Sequence, residues 1–235
     1  MFRLNRTLLN DFIDLMFPTL CLGCSIALRN NEKVLCAHCR INLPETGHHR
    51  GDYDKNLLNK FAGKGLVQHV YSYFYFTKGS TVQKLIHAIK YKGQKEAAKE
   101  VAVWYGQQLR MESNLRNEID LILGIPTHKS RLQQRGYNQA DWIAAGLAES
   151  LDIPTQTDVL VRNQFVESQT NKNRIERWEN VSSVFAVLNQ EAVKGKRIAV
   201  VDDVLTTGAT IGACASELVK SGCTSVSVLT LAAAK

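Results

Sequence analysis

The stretch VVDDVLTTGAT, residues 200–210, combines two features that favour opposite ligands. Asp202 and Asp203 are adjacent carboxylates, and carboxylates repel phosphate. The hydroxyl-rich turn that follows them opens a helical pattern, and the free N–H groups and dipole of a helix start attract anions. Gly208 permits a tight turn at this point. No lysine follows the turn, which excludes the nucleoside triphosphate loop Gly-x-x-x-x-Gly-Lys-Ser/Thr.

A ligand with two different ends resolves this conflict. Carboxylates accept hydrogen bonds from sugar hydroxyls, and they are also suitable ligands for Mg²⁺. We therefore expect a sugar that carries a phosphate at one end and vicinal hydroxyls in the middle. Asp202 and Asp203 would bind the sugar, and the turn would bind the phosphate. The turn consists of Thr206, Thr207, Gly208, Ala209 and Thr210.

Strand, loop and helix patterns alternate from residue 119 onwards. The apolar runs IDLILGIP, KRIAVVDD and VSVLTLAAA predict buried strands, and the runs YNQADWIAAGLAESL and GATIGACASELVKSG predict helices. Residues 127–136, THKSRLQQRG, are interpreted as a loop. Such alternation is typical of a parallel sheet with helices on both faces. Ligands bind these sheets at the carboxyl ends of strands, so this loop and the two aspartates should share one rim.

The region before residue 119 is less regular. Residues 44–65 predict a linker with a short helical piece. The aromatic run VQHVYSYFYF, residues 67–76, predicts a strand, interpreted as antiparallel with one buried face, with base stacking as the alternative. Ser80 should cap a helix, and a second helix is predicted from about residue 95 to residue 110. Five lysines form either a solvated face or a phosphate groove: Lys84, Lys90, Lys92, Lys95 and Lys99.

Four of the six cysteines form two Cys-x-x-Cys pairs that are separated by eleven residues. Two such pairs can complete a tetrahedral thiolate site, which predicts structural zinc. The four predicted ligands are Cys21, Cys24, Cys36 and Cys39. Disulfides and a redox dithiol are the alternatives, and a histidine such as His38, His48 or His49 could replace one thiolate. Cys214 and Cys223 are interpreted as core residues.

Composition and charge set wider limits. The chain has 235 residues with 45% hydrophobic content, enough for one sizeable core and a small appendage. A net charge of +7 weakly favours acidic partners such as nucleic acid, nucleotides or phosphorylated sugars. Apolar residues around Leu8 and Phe12 predict a short amphipathic helix, and the charges among them argue against a secretory signal. No membrane span is predicted, so we expect a cytoplasmic protein.

The opening stretch resembles the phosphoribosyl pyrophosphate (PRPP) motif of type I phosphoribosyltransferases, in which two acidic residues and Thr-Thr-Gly-x-Thr follow an apolar strand. The chain also contains the four-cysteine finger, the YKG of residues 91–93 and the IPTHKSRLQQRGYNQA of residues 125–140. A scattered set completes the pattern: Gln169, Arg174, Asn180, Val181 and Phe185. Together these motifs resemble the ComF family, which includes ComFC-type competence proteins and GntX-type proteins, and the resemblance covers essentially the whole chain.

The resemblance implies an α/β fold: a type I phosphoribosyltransferase-like parallel-sheet domain over residues 61–235. Residues 1–60 would form a small N-terminal domain with a helix, the zinc finger and a linker. Asp202 and Asp203 would be the catalytic pair that holds the ribose hydroxyls, directly or through Mg²⁺. Residues 206–210 would hold the 5′-phosphate of PRPP.

The resemblance also implies a pyrophosphate loop at Ile125-Pro126-Thr127, with Arg131 and Arg135 in reach of the pyrophosphate. Many such transferases have a glycine-rich turn there, whereas this chain has Pro-Thr-His-Lys. Residues 163–180 would match the mobile loop that closes the site. The charges that this lid could direct at pyrophosphate are Lys172, Arg174 and Arg177.

Two functions remain open from the sequence. The first is a protein that binds PRPP and Mg²⁺, with phosphoribosyl transfer to an unnamed acceptor as its potential activity. The second is a non-catalytic nucleic-acid-binding accessory that uses the same fold. The resemblance implies a role in natural transformation, with single-stranded DNA and DNA-uptake proteins as partners. A receiver-like domain is disfavoured, because its acidic pair follows the first strand and this pair follows the penultimate one.

Overall fold

A four-stranded parallel sheet forms the centre of the protein. The computed structural model describes residues 16–29, 31–51, 55–61, 67–163 and 184–234. The strands in chain order are β1 (Val67–Phe76), β2 (Leu121–Gly124), β3 (Leu160–Arg162), β4 (Phe185–Val187), β5 (Arg197–Leu205) and β6 (Ser225–Ala234). The central sheet has the order β1-β6-β5-β2, and β3 and β4 form a separate antiparallel hairpin. The predicted parallel sheet is thereby confirmed.

Seven helices are described around this sheet. They are α1 (Ala37–Ile41), α2 (Lys55–Asn59), α3 (Thr81–Tyr91), α4 (Lys95–Glu112), α5 (Lys129–Arg135), α6 (Gln139–Leu151) and α7 (Ala209–Lys220). Two short 3-10 helices cover His48–Arg50 and Leu115–Glu118. The predicted helix cap is confirmed, since the Ser80 hydroxyl accepts a hydrogen bond from the N–H of Gln83.

The two faces of β5 belong to two different apolar clusters. Ala199 and Val201 pack with α3, α4 and α6 on one side of the sheet. Val200 packs with α7 and the β3–β4 hairpin on the other side. Burial on both faces is the reason that this strand reads as a continuous apolar run. Gly146 lets α4 and α6 approach closely, because a Cβ there would lie 2.3 Å from the carbonyl oxygen of Lys99.

The register of the sheet brings the ends of two strands together. Gly124, the last residue of β2, pairs with Val201 of β5. The N–H of Ile125 then donates to the Val201 carbonyl at 2.9 Å. The chain therefore leaves β2 at the level where Asp202 begins the acidic pair, and the shared rim expected from the sequence is confirmed.

Two local predictions are wrong. β1 runs parallel to β6, its neighbour in the central sheet, and its residues 70–74 are buried on both faces rather than one. Its antiparallel contact is confined to an isolated bridge between Glu45 and Phe74 on the outer edge. The segment interpreted as a loop contains α5, whose start is capped by the His128 side chain. This helix has no buried residue, and its Leu132 is 42% exposed, so it lacks the apolar stripe that sequence periodicity detects.

Part of the predicted linker is bound to the outer edge of β1. The N–H of Tyr75 donates to the Pro44 carbonyl at 2.8 Å, and the N–H of Thr46 donates to the Tyr73 carbonyl at 2.9 Å. Thr46 is buried and its hydroxyl donates to the Ser72 carbonyl. Residues 44–46 therefore pair with the edge strand instead of spanning a gap.

Two predictions fall largely outside the described residues. The N-terminal amphipathic helix around Leu8 and Phe12 lies there, and so does nearly all of the lid predicted over residues 163–180. Within the described ranges, none of the helices combines the length and the apolar character that crossing a bilayer requires.

Candidate functional site

The acidic pair and the threonine turn lie where β5 meets α7. β5 continues to Leu205, two residues beyond the predicted end. Gly208 then adopts a φ of 74° as the N-cap of α7 and has no side chain to cap the helix. A long hydrogen bond of 3.4 Å joins the N–H of Ala209 to Thr207 Oγ1. A Cβ at Gly208 would approach the Phe61 ring to 3.0 Å. Both the backbone conformation and the available space therefore demand glycine, and the start of α7 remains available to an anion.

Two adjoining hollows open above this rim. The larger has a volume of about 210 Å³ and contains seven predicted site residues: Thr127, Arg131, Arg135, Asp202, Asp203, Thr206 and Thr210. The smaller, of about 50 Å³, lies over the turn and adds Thr207, Gly208 and Ala209. The predicted residues Asp202, Asp203, Thr127, Arg131, Arg135 and those of the turn 206–210 thus line one continuous region. The lid charges predicted for the pyrophosphate, Lys172, Arg174 and Arg177, lie outside the described residues.

Lys90 is a cavity residue that the sequence placed in a group of five lysines, with a solvated face and a phosphate groove as the alternatives. Its Nζ lies 2.8 Å from Oδ1 of Asp203, which is only 7% exposed. Burial and the charge of Asp203 raise the pKa of Asp202 to about 7. The N–H of Asp203, which donates to Asp202 Oδ1 at 2.8 Å, lowers this pKa but does not outweigh them. The ion pair with Lys90 offsets the charge of Asp203, and the raised pKa leaves Asp202 partly protonated near neutral pH. Both effects weaken the repulsion that two free carboxylates would exert on a phosphate.

Positive side chains surround the acidic pair within the larger hollow. They are Lys90, Arg131, Arg135 and Arg162. The guanidinium of Arg135 lies 5.0 Å from the Tyr91 ring centroid, which fixes its position over an aromatic face. Arg162, at the end of β3, was not predicted as a site residue, because its segment shows no motif. The cavity therefore offers both carboxyl groups for hydroxyls and cations for phosphates.

The start of α6 is packed tightly against the end of β2. The Asn138 side chain donates to the Ile125 carbonyl at 3.1 Å and to Oδ1 of Asp141 at 2.9 Å. A Cβ at Gly124 would lie 2.4 Å from that Asp141 oxygen, so the close approach needs glycine. Burial, only partly offset by the Asn138 hydrogen bond, raises the pKa of Asp141 to about 6. This packing places Gln139 at the cavity wall.

The segment before β1 supports the phosphate turn from below. Lys60 Nζ donates to the Thr206 carbonyl at 2.6 Å. Phe61, which is 2% exposed, packs under Gly208. Sequence reasoning missed both contacts, since a contact across 146 residues leaves no local pattern.

The four predicted metal ligands form a second site in the N-terminal region. Their sulfur atoms all lie within 4.8 Å of one another, and this is the only group of potential ligands of its kind among the described residues. All are free thiols, with 3.7 Å between the sulfurs of Cys24 and Cys36. The disulfide alternative is therefore wrong, and His38 is not a member of the cluster.

Backbone N–H groups point at the sulfur atoms. The N–H groups of Gly23 and Cys36 donate to Cys21 Sγ at 3.4 and 3.3 Å. Burial raises the pKa of this thiol, but hydrogen bonds from Cys36, Cys24 and Gly23 outweigh it and lower the pKa to about 6. Such donors stabilise thiolates, the form in which cysteine binds metals.

Comparison with known proteins identifies the domain. Residues 91–235 match the phosphoribosyl transferase domain family (Pribosyltran). Competence protein F of Haemophilus influenzae is 32% identical over 116 residues, which are 49% of this chain and 51% of that protein. DNA utilization protein YhgH of Escherichia coli K12 is 27% identical over 212 residues, 89% of this chain and 88% of that protein. Competence protein ComFC of Bacillus subtilis is 37% identical over 112 residues, 47% of this chain and 43% of that protein.

The aligned part thus spans about half of the two competence proteins and most of the DNA utilization protein. The family match includes the whole rim that carries the acidic pair and the threonine turn, and the four-cysteine cluster lies before it. The chain therefore belongs to the phosphoribosyl transferase domain family, as a ComF-type member with an N-terminal four-cysteine cluster.

Proposed function

We propose that the rim cavity binds PRPP together with Mg²⁺. The observation that carries this proposal is the juxtaposition of two unlike subsites in one continuous hollow. A glycine-capped start of a 12-residue helix suits a phosphate, and a buried pair of carboxylates beside it suits ribose hydroxyls. Membership of the phosphoribosyl transferase domain family agrees with such a ligand.

Each group of residues takes one part of the ligand. The turn of residues 206–210 binds the 5′-phosphate, and Asp202 with Asp203 binds the ribose hydroxyls. Thr127, Arg131 and Arg135 bind the pyrophosphate. Asp203 is already paired with Lys90, so the acidic pair fits a divalent ion only in part, and the remaining oxygen ligands of Mg²⁺ would come from the pyrophosphate. When bound, the ion neutralises charge on the leaving group.

The reaction that this arrangement supports is phosphoribosyl transfer. The bond between the anomeric carbon and a pyrophosphate oxygen breaks, and an acceptor forms a new bond to that carbon. Positive charge that develops on the sugar lies beside the acidic pair, and negative charge on the departing pyrophosphate lies beside the arginines. The cavity residues show no feature that names the acceptor.

Thermal unfolding with and without PRPP and Mg²⁺ tests the binding proposal. We expect PRPP to raise the melting temperature of the wild-type protein, because a ligand that binds only the folded state stabilises it. Asp202→Asn with Asp203→Asn should abolish this shift, while the exposed Asp158→Asn should preserve it. An undiminished shift in the double variant would show that PRPP binds elsewhere.

The four-cysteine cluster binds a structural zinc ion in our proposal. Four sulfur ligands within 4.8 Å of one another fit the closed tetrahedral sites that zinc occupies without an open position for chemistry. Free thiols of this kind persist in a reducing compartment, which supports a cytoplasmic location. We propose that residues 1–60 form the zinc-binding unit and residues 61–235 the phosphoribosyltransferase-like domain.

A role in DNA uptake, through single-stranded DNA, is the second candidate function. The relatives named for competence and DNA utilization favour it. So does a groove of about 380 Å³ between the cysteine cluster and α3. Among the described residues its lining includes Lys84, His87 and Lys92 and no carboxylate. A non-catalytic accessory would need only this groove and the rim, and the salt dependence of DNA binding tests it.

A further inference from the structure

Gln139 is a buried polar side chain in the rim cavity whose amide donor has no partner among the described residues. The residue is 3% exposed, and its Nε2 donates to no atom of the described residues. It is the first residue of α6, a helix of 13 residues, and its side chain lines the larger hollow. A second buried donor without a partner, Nε of Arg135, lines the same hollow.

Two such donors in one place call for an explanation. A buried donor that lacks an acceptor destabilises the folded state, and native proteins keep few of them. An arrangement of this kind persists where a ligand supplies the acceptor. The start of α6 adds the positive end of a helix dipole, and the Asn138 side chain does not cap the helix because it is bound elsewhere.

The residues between these two donors are all anchored. Gly136 closes α5 with a φ of 77°. The Tyr137 hydroxyl donates to the Ile89 carbonyl, and the Asn138 side chain donates to the Ile125 carbonyl at 3.1 Å. Three anchored residues thus separate Arg135 from Gln139, so the two donors are held in place before any ligand arrives.

We infer that Arg135 and Gln139 form the binding subsite for the pyrophosphate group, with the side chain of Gln139 as a specificity-determining donor. This inference rests on the proposed function. An anion is the fitting ligand, because Arg131 and Arg162 line the same hollow and the two carboxylates are occupied with Lys90 or raised in pKa.

Calorimetric titration with inorganic pyrophosphate and with ribose 5-phosphate, both in the presence of Mg²⁺, tests this inference on the full chain. Gln139→Leu removes the donor at similar volume. We expect its affinity for pyrophosphate to fall about tenfold or more, as for a lost hydrogen bond to a charged group, and its affinity for ribose 5-phosphate to stay unchanged. The ligand-free variant should melt at or above the wild-type temperature, because an unsatisfied buried donor has been removed.

Gln134→Leu is the matched control, since Gln134 is an exposed glutamine of α5 that lies outside the cavity lining. Gln139→Met repeats the test with an unbranched side chain if the leucine variant does not fold. The inference is overturned if the folded variants bind pyrophosphate as tightly as the wild type, or if they lose affinity equally for both ligands. It is also overturned if the wild-type protein does not bind pyrophosphate. A wild-type protein that binds pyrophosphate but neither ribose 5-phosphate nor PRPP overturns the proposed function and leaves this subsite intact.

Discussion

Lys90 and Asp203 illustrate what single residues contribute beyond a motif. The motif predicts that two aspartates follow β5, and the structure confirms their place at the cavity. The motif does not contain Lys90, which reaches the pair from α3 and binds Asp203 at 2.8 Å. Sequence reasoning grouped Lys90 with four other lysines, because charge alone does not tell which one faces inward. The polar cavity residues were thus predictable where they belong to a sequence motif. Residues such as Lys90, which reach the cavity only through the tertiary fold, were not predictable.

Asp141 should make the stability of the protein depend on pH. Burial raises its pKa from an ordinary value of 3.8 to about 6. The folded state therefore holds the proton more tightly than the unfolded state. The stabilisation that this provides is complete below the unfolded pKa and is lost as pH rises through about 6. Asp141→Asn keeps an uncharged side chain of the same shape at every pH.

We expect Asp141→Asn to be more stable than the wild type at pH 8 by about 1–2 kcal/mol, a value reduced for partial exposure. At pH 5.5 the advantage should be much smaller. Urea unfolding of both proteins at the two pH values measures the difference, in which other titrating groups cancel. Asp158→Asn controls for loss of an exposed carboxylate. A variant that is less stable than the wild type at pH 8 would contradict this reading of the burial.

At the scale of elements, apolar periodicity determined which predictions succeeded. β5, β6, α6 and α7 were all predicted, because each has a buried face or is buried on both sides. α5 was missed because none of its residues is buried. β1 was found, but its orientation was predicted wrongly, since an aromatic strand has the same composition in a parallel and an antiparallel pair.

The cysteine element should be folded by its metal. We expect about one zinc per chain in the purified protein and its loss in Cys21→Ser with Cys24→Ser. Two ligands then remain, and Cys21 Sγ, the sulfur atom that now receives the N–H groups of Gly23 and Cys36, is gone. Metal analysis by mass spectrometry, with circular dichroism on the same samples, measures both effects.

Cys223→Ala is the control for that experiment, because Cys223 is a buried cysteine outside the four-sulfur cluster and its loss should leave the zinc content unchanged. A folded wild-type protein that contains no metal would refute the zinc proposal. Zinc that survives in the double variant would mean that other residues hold it.

At the scale of the whole molecule, the pairing of strands that are distant in sequence could not be predicted. β1 lies beside β6, so the first and the last strand of the described sheet are neighbours. Alternation of strands and helices predicts that a parallel sheet forms, but it does not give the order of strands. The hydrogen bond from Lys60 to the Thr206 carbonyl was unpredictable for the same reason, because it depends on how the strands are arranged.

If the net charge of +7 and the groove between the cysteine cluster and α3 attract DNA, binding should weaken as salt is added. We expect the logarithm of the binding constant for a labelled single-stranded oligonucleotide to fall linearly with the logarithm of salt concentration. Lys92→Gln should reduce the slope by about 0.7–1, the value for one phosphate contact. Fluorescence anisotropy over a salt series measures it.

Lys220→Gln is the control for the DNA experiment, because Lys220 lies at the end of α7 beside Glu217 and outside the groove. Its slope should equal that of the wild type. PRPP added at saturation shows whether the rim takes part, since competition lowers DNA affinity only if the two ligands share residues. Lack of DNA binding at low salt would exclude the second candidate function for this protein.

The pairing of residues 44–46 with β1 also bears on aggregation. Tyr73 and Tyr75 expose backbone groups toward the outer side of the sheet, and the N-terminal segment occupies them. A fragment that began at residue 61 would expose the edge of β1, an aromatic strand without Lys, Arg, Asp, Glu or Pro. Such an unpaired edge can hydrogen-bond to a strand of a second copy of the chain. By covering this edge, residues 44–46 also hinder assembly of the sheet edge to edge with a second copy.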